Sequence, residues 1–388
     1  MIVRMAEHSG PLRGVRVIEI AGLGPGPFAA MTLADLGADV IRVDRPGGGW
    51  APVPPAHDLL TRGRPSVALD LKNPDGVEIV LDLVERADVL IEGFRPGVAE
   101  RLGIGPSECF ARNRALVYGR MTGWGQDGPL AQQSGHDIDY IAVAGGLHGL
   151  GRAGGPPQFP ANLLGDFGGG GMYLVTGVLA GLLEARTSGE GQVVDAAIVD
   201  GTAHLMSMLF GLSGAGLWRD ERGTNLLDSG APFYDVYETA DGEHMAVGAL
   251  EPQFYTELIE RLDLVDPPDR NDPAQWPALR KVLADTFATR TQADWIDVFA
   301  GSDACVAPVV PLSEAPQHPH LAARQTYANH HGVTQPTPAP RFSRTPASLS
   351  SPPPAKVGVN TREALQAWGI ADVDALIERG VAVQATDR

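Results

Sequence analysis

Short strand-like and helix-like segments alternate through the first 125 residues, and this alternation constrains the fold more than any other feature. Val15–Ile20 and Ala38–Asp44 are short runs rich in β-branched residues, the pattern of buried strands. The segment between them has a helical pattern that ends at Gly37. Three further strand-like runs follow at Ser66–Leu71, Asp88–Phe94 and Ala115–Gly125, with a helical pattern between the first two. The alternation predicts an α/β fold with a mainly parallel sheet and right-handed crossovers.

The second half of the chain predicts a smaller domain of a different class. Ala231–Leu250 has the pattern of a β-hairpin with its turn at Asp241-Gly242, and three helical patterns follow it. The Pro-rich stretch "TQPTPAPRFSRTPASLSSPPPAKVG" is typical of an extended chain rather than of a folded unit. We therefore predict a large domain over residues 1–200, a helical linker over 201–228, a smaller α+β domain over 229–322 and a C-terminal segment over 323–388 that returns to the large domain.

Charge and hydropathy disfavour several classes of partner. The 388-residue chain has a net charge of -17, which argues against nucleic acids and anionic membrane surfaces. No uninterrupted apolar run is expected to approach the ~20 residues that span a bilayer, so the sequence predicts no membrane crossing. Neither end resembles a signal peptide or a Ser-Lys-Leu address, so a cytoplasmic location is expected.

Cys109 and Cys305 lack metal or redox spacing and are predicted to be buried small residues.

The acidic charge lies mostly after residue 120, since the first 120 residues carry 14 Lys and Arg against 15 Asp and Glu. Basic residues of this nearly neutral part cluster at or after strand-like segments: Arg42, Arg45, Arg62, Arg64, Lys72, Arg95 and Arg101. Ligands of open α/β sheets bind beyond the carboxyl ends of the strands, and several cations there favour a multiply phosphorylated ligand. Any one of them alone is better explained as a solvated surface charge.

The stretch "GLGPGPF" after the first strand imitates part of a dinucleotide-binding turn, with Asp44 as the acidic residue that closes the second strand. The third glycine position is Pro27, which suits the first turn of a helix but not a close contact between helix and strand. This departure disfavours a nicotinamide cofactor. The alternative is that the turn simply opens the helix.

Three acid–base residues have a structural explanation beside a chemical one. His136 precedes an apolar helical run, and a lone histidine is usually structural. Asp166 precedes Phe167 and four glycines, so that it either caps a helix or lies in a crowded site where a ligand or a neighbouring helix approaches the backbone. Glu251 stands at a predicted helix start, where an acid also complements the helix dipole.

Segments spread over nearly the whole chain resemble the family III CoA-transferase superfamily, and within it the alpha-methylacyl-CoA racemases. They include "GPLRGVRVIEIAGLGPGPFAAMTLADLGADVIRVDRP", "VLIEGFRPGVAERLGIGP", "YGRMTGWGQDGPLAQQSGHDIDY", "NLLGDFGGG" and "AVGALEPQFY". The resemblance implies a Rossmann-type large domain that holds CoA rather than a nicotinamide nucleotide, and an interlocked homodimer. It also implies CoA contacts at Arg42, Lys72, Arg95 and Arg101.

The resemblance carries a catalytic His onto His136, a catalytic Asp onto Asp166 and a supporting Glu onto Glu251. Inversion of the carbon alpha to a thioester needs two bases on opposite faces, and His136 would serve the 2S face and Asp166 the 2R face. Backbone N–H groups near His136 and Asp137 would stabilise the enolate oxygen. The glycines after Asp166 would let the thioester and pantetheine arm lie against the backbone.

The resemblance implies no metal and no cofactor, because the thioester itself acidifies the α-proton. Met206 and Met208, which also suit an ordinary core, would contact the acyl chain of the acyl-CoA substrate. Transferases of the superfamily keep an Asp at the position of Asp166 as a nucleophile but lack the histidine of "GHDI". That histidine favours the racemase. A CoA-transferase with Asp166 as nucleophile and a non-catalytic CoA-binding protein are the alternatives.

Overall fold

The computed structural model of the chain describes residues 9–349 and 351–386. These residues form two compact units. The first contains the chain up to Ala144, the segment Pro160–Leu205 and the chain from His320 onward. The second contains Gly145–Phe159 and Met206–Pro319. The stretch predicted as a linker, 201–228, is divided between the two units after Leu205.

Six strands and seven helices make up the N-terminal part of the first unit. The strands are β1 (Arg16–Ile20), β2 (Asp39–Asp44), β3 (Ser66–Leu69), β4 (Val89–Glu92), β5 (Val117–Thr122) and β6 (Val193–Ala197). The helices are α1 (Pro25–Asp35), α2 (Pro74–Val84), α3 (Val98–Leu102), α4 (Pro106–Arg112), α5 (Asp137–Val143), α6 (Met172–Ser188) and α7 (Ile198–Leu205), with a π-helical segment at Leu163–Gly171 directly before α6. The predicted order of strands and helices is confirmed over this region.

The second unit is built on a small antiparallel sheet and four helices. Its elements are α8 (Ser207–Gly214), β7 (Tyr234–Glu238), β8 (His244–Gly248), α9 (Pro252–Arg261), α10 (Trp276–Phe287), α11 (Gln292–Phe299) and β9 (Val306–Pro308). Strands β7 and β8 form the predicted hairpin, and β9 pairs with β8. Cys305, just before β9, is exposed, so the expectation of two buried cysteines is correct only for Cys109.

The C-terminal segment adds a seventh strand to the large sheet. Its elements are α12 (Pro319–Ala323), β10 (Tyr327–His330), β11 (Val333–Pro336), α13 (Thr361–Ala367), α14 (Val373–Glu378) and β12 (Ala382–Val383). The strand order is β12-β3-β2-β1-β4-β5-β6, with β12 antiparallel to β3 and all other pairs parallel. The order reverses between β1 and β4, which is the point where open α/β sheets bind their ligands.

Successive residues of the central strands pack on opposite faces of this sheet, as the side-chain period of a strand requires. Val17 of β1 belongs to a buried cluster that includes Leu33 of α1 and Val178 of α6. Its neighbour Ile18 belongs to a second cluster that includes Leu83 of α2 and residues of α13. Both faces are therefore covered by helices, which is the arrangement that parallel sheets require.

Of the two explanations for Asp166, a helix cap or a residue of a crowded site, the structure excludes the helix cap. The π-helical segment begins after Asn162, and Asp166 lies inside it, six residues before α6 starts at Met172. A π-helix is rare and occurs most often as a short insertion at functional sites. The glycine run therefore marks a distorted turn rather than a capped helix start.

No uninterrupted apolar run of about 20 residues is expected, and one helical stretch that includes charged residues has the length and hydropathy of a membrane span. The π-helical segment and α6 together cover 26 residues, Leu163–Ser188, and an 18-residue window within them has a mean hydropathy of 1.2 and is 39% buried. By length and composition alone this is one candidate span within the described residues. In the structure α6 packs against β5, β6 and α1, which is the position of a core helix in the first unit.

Candidate active site

A cavity of about 550 Å³ lies in the first unit beyond the carboxyl ends of β1 to β4. Gly22 and Leu23 line it after β1, Lys72 after β3 and Phe94 after β4. Its volume falls within the range of roughly 300–1,000 Å³ that is typical of small-molecule sites. The cavity therefore lies at the topological switch point between β1 and β4, where a nucleotide-containing ligand is expected.

The structure places two of the four predicted CoA-binding residues, Arg42 and Lys72, in the lining of this cavity. Arg95 and Arg101 follow β4 and are exposed, but they do not line it. Lys356 lines the cavity from the C-terminal segment and is missing from the sequence-based set. Its sequence signal is weak, because only its rarity, as one of three lysines in the chain, distinguishes it.

Arg42 and Asp44 are engaged with buried partners of the protein itself. Arg42 Nη1 donates to Glu19 Oε1 at 2.5 Å, and Arg42 Nε donates to Asp44 Oδ1 at 3.1 Å. Burial lowers the pKa of the Arg42 guanidinium, but Glu19 and Asp44 outweigh burial and raise that pKa. Asp44 Oδ2 accepts a hydrogen bond of 2.6 Å from Ser66. Both oxygens of the acid that ends β2 thus have partners within the protein.

The π-helical segment holds Asp166 against the turn that follows β1. A Cβ at Gly24, whose φ is +68°, would lie 3.1 Å from Asp166 Oδ2. Phe28 of α1 stacks on Phe167 with ring centroids 4.6 Å apart. The glycine-rich turn is therefore adjacent to the Asp166 carboxyl, and only a residue without a side chain leaves that carboxyl uncrowded.

Asp166 has two polar partners, Asn162 on the adjacent turn and Asp137 on α5. Asn162 Nδ2 donates to Asp166 Oδ2 at 3.2 Å, and the Asp166 backbone N–H donates to Asp137 Oδ1 at 2.6 Å. Burial raises the pKa of the Asp166 carboxyl, the charge of Asp137 adds to this, and Asn162 and His136 oppose it, so that the net shift is upward. Asn162 is missing from the sequence-based set of site residues, although its position four residues before Asp166 is a usable signal.

His136 is the extended, exposed residue that precedes α5. Its backbone N–H donates to Asp139 Oδ2 at 2.9 Å, and Tyr140 donates through its hydroxyl to the Gly135 carbonyl. These bonds fix the backbone on both sides of the imidazole. His136 also interacts electrostatically with Asp166, so the structure brings the predicted His, its neighbour Asp137 and the predicted Asp together in the first unit.

Glu251 and the two predicted acyl-chain residues belong to the second unit. Glu251 is exposed and extended, directly before α9, and its carbonyl accepts a hydrogen bond of 3.0 Å from the Tyr255 amide. Met206 is buried at the start of α8, whereas Met208 is 63% exposed. The pairing of Glu251 with His136 stays a prediction.

Protein atoms lie close to each of the four glycines after Asp166. A Cβ at Gly169 would lie 2.8 Å from the Thr202 amide nitrogen, and one at Gly171 would lie 2.6 Å from the Phe28 ring. In turn a Cβ at Gly201 of α7 would lie 1.8 Å from the Gly169 carbonyl oxygen. The expectation that this run gives room to a pantetheine arm is thus corrected. The missing side chains of Gly169 to Gly171 instead allow α1 and α7 to pack closely against this segment. Gly168 is also close to protein atoms, since a Cβ there would lie 3.1 Å from the Leu163 carbonyl oxygen.

The fold and the site together define an α/β protein with a ligand cavity at its strand reversal and an acid–base pair in the same unit. The family model of CoA-transferase family III matches residues 12–361, and the chain belongs to that family.

Three relatives illustrate the similarity. The chain is 46% identical to the alpha-methylacyl-CoA racemase of Mus musculus, over 94% of this chain and 95% of the mouse protein. It is 44% identical to the human protein of that name, over 93% and 94% of the two chains. The crystal structure of a CAIB/BAIF family protein from Brucella suis has the same fold, with a TM-score of 0.79 at 24% identity, and covers 93% of this chain and 100% of that one.

Proposed function

We propose that this chain is an alpha-methylacyl-CoA racemase that inverts the α-carbon of 2-methylacyl-CoA thioesters by proton transfer through an enolate. The observation that carries the proposal is the acid–base pair: His136 and Asp166 interact electrostatically within one unit, and they differ in burial. The 46% and 44% identities to proteins named alpha-methylacyl-CoA racemase support the choice of reaction.

Racemisation by two bases requires that the pair carry one proton in total. From a 2S substrate, neutral His136 takes the α-proton and the protonated Asp166 carboxyl returns one on the opposite face. From a 2R substrate, the Asp166 carboxylate is the base and the His136 imidazolium is the acid. The raised pKa of Asp166 supports this exchange, because it reduces the free-energy difference between the two arrangements of the proton.

Groups around the pair would assist both directions. The Asp137 backbone N–H, in the first turn of α5, has no acceptor earlier in the helix and would donate to the enolate oxygen. Glu251 would hydrogen-bond His136 and fix its tautomer. Met206 and Met208 would contact the acyl chain.

Acyl-CoA is the proposed substrate, with the phosphorylated part of CoA in the 550 Å³ cavity. Arg42 and Lys72 would contact it from the cavity lining, and Arg95 and Arg101 from the segment after β4. The reaction is proposed to need no metal or further cofactor and to occur in the cytoplasm. An interlocked homodimer is proposed as well. Large apolar side chains exposed on the second unit, among them Met208 and Phe210 of α8, support such an association.

The proposal is tested with pure (2R)- and (2S)-2-methylacyl-CoA, each converted separately and analysed by chiral chromatography. We expect both to reach the same mixture of epimers. A CoA-transferase would instead move CoA to an added free acid, and hydroxylamine would trap an acyl group on Asp166. Acyl transfer without inversion would contradict the racemase and support the transferase.

Replacement of Lys72 tests the CoA cavity. We expect Lys72→Ala to weaken binding of CoA about tenfold, or about 1.4 kcal/mol, because a charge-assisted contact to phosphate is lost. Lys281→Ala is the matched control, since this exposed lysine pairs with Asp285 on α10 in the second unit. Calorimetric titration with CoA measures both. Equal affinities of the two variants would remove Lys72 from the site.

A further inference from the structure

The side chain of Asp137 is unusual for an acid at the first turn of a short surface helix. It is only 7% exposed. Oδ1 accepts a hydrogen bond of 2.6 Å from the Asp166 backbone N–H. A Cβ at Gly165 would lie 2.4 Å from that same oxygen. Oδ2 is buried and has no hydrogen-bond partner among the residues that the structure describes. A buried carboxylate oxygen without a partner destabilises a fold, so its presence calls for a functional explanation.

We propose that the Asp137 side chain is a positioning residue for Asp166: one oxygen fixes the π-helical turn that carries Asp166, and the other places a buried negative charge beside the Asp166 carboxyl. This role rests on the proposed function of Asp166 as an acid and base, and it is separate from the backbone N–H that Asp137 offers the enolate. It explains why Gly165 is a glycine, because any side chain there would displace the Asp137 carboxylate.

Few other charges act on the Asp166 carboxyl. His136 and Tyr140, from the segment that contains α5, interact with it electrostatically. α1 contributes no titratable side chain near Gly24, since its only acid, Asp35, is at its far end. On α7 the titratable residues, Asp200 and His204, are exposed. α6, β5 and β6 also pack against the π-helical segment, but their titratable groups do not shift the Asp166 pKa. These groups include Tyr173, Glu184 and Arg186 of α6, Arg120 of β5 and Asp195 of β6. Asp137 is therefore the one buried like charge that acts on Asp166 in the described structure.

The pH dependence of kcat/KM is set by the number of protons that His136 and Asp166 carry together. Below the pKa of Asp166 the pair carries two protons, neither group can act as base, and activity is lost. A neighbouring negative charge raises that pKa, so it moves this acid limb of kcat/KM to higher pH. Removing the charge lowers the pKa of Asp166, and activity then persists to lower pH.

Two substitutions separate the two parts of the role. Asp137→Asn removes the charge and keeps an oxygen that can accept the Asp166 amide. Asp137→Ala removes both. We expect both variants to move the acid limb to lower pH, and Asp137→Ala alone to lose about 10²-fold in kcat, because the turn that carries Asp166 is no longer fixed. Identical kcat losses in both variants, with an unmoved acid limb, would overturn the proposal.

A titration that needs no turnover keeps this test independent of the proposed function. Enzyme labelled with [γ-13C]aspartate gives a carboxyl signal for Asp166, identified by its loss in Asp166→Asn. We expect its titration midpoint to be lower in Asp137→Asn than in the wild type, and unchanged in the control Asp200→Asn, which removes an exposed charge from α7. An unchanged midpoint in Asp137→Asn would overturn the inference. If the Asp166 midpoint shifts in Asp137→Asn but the wild-type enzyme inverts neither epimer, the racemase proposal is contradicted and the inference about Asp137 stands.

Discussion

Asp166→Asn is expected to lower the rate of racemisation about 10²- to 10⁴-fold while leaving one half-reaction intact. His136 remains able to take the α-proton of the 2S epimer and to return a deuteron to the same face in deuterium oxide. The 2S substrate should therefore exchange its α-proton with retention, and the 2R substrate should not exchange. The amide keeps the size of the carboxyl, so this loss reports chemistry rather than packing.

His136→Ala should give the mirror result, with exchange confined to the 2R epimer. Mass spectrometry of each recovered epimer after chiral separation measures both patterns. Asp200→Asn serves as the control, since it removes a carboxylate of equal charge from an exposed position on α7. Exchange of both epimers in Asp166→Asn at the wild-type rate would show that Asp166 is not one of the two bases.

Gly201→Ala is expected to destabilise the protein by about 3 kcal/mol or more. Its Cβ would lie 1.8 Å from the Gly169 carbonyl oxygen, a contact between backbones that no side-chain movement relieves. The π-helical segment would have to move away from α7 and would carry Asp166 with it. Urea denaturation followed by circular dichroism measures the free energy of unfolding, and loss of racemisation should accompany the loss of stability.

Gly211→Ala is the matched control for that substitution. Gly211 also lies inside a helix, α8, but a Cβ there meets no atom within 4 Å. Alanine at this position should be neutral or stabilise the helix by up to about 1 kcal/mol. If Gly201→Ala were as stable as Gly211→Ala, the close approach of α7 to the glycine run would not be a constraint on the fold.

The parts of the fold with local causes could be predicted from the sequence. Strands β1 and β2 follow from β-branched runs, and α1 lies between Pro25 at its start and Gly37 after its end. The βαβ alternation places the ligand site at the carboxyl ends of the strands, where the cavity lies. The resemblance predicts that His136 and Asp166 share one site, and the structure places both in one unit, where α5 packs on the π-helical segment.

Features that depend on contacts distant in sequence could not be predicted in this way. Four glycines in a row indicate a flexible or crowded backbone, but only the approach of Thr202 and Gly201 shows what occupies the space. The chain position of Arg42 suggests a ligand contact, whereas its partner Glu19 lies 23 residues earlier on the adjacent strand. The bond from the Asp166 amide to Asp137 spans 29 residues and has no local pattern.

In the proposed mechanism two bases on opposite faces of the α-carbon exchange one proton. The most direct measurement is the deuterium content of both epimers during the first turnovers of wild-type enzyme in deuterium oxide. With two bases we expect the product epimer to carry one α-deuteron from the start and the recovered substrate to retain its proton, whichever epimer is supplied. Equal early labelling of product and recovered substrate would indicate a single base, and unlabelled epimers with acyl transfer to a free acid would contradict the racemase altogether.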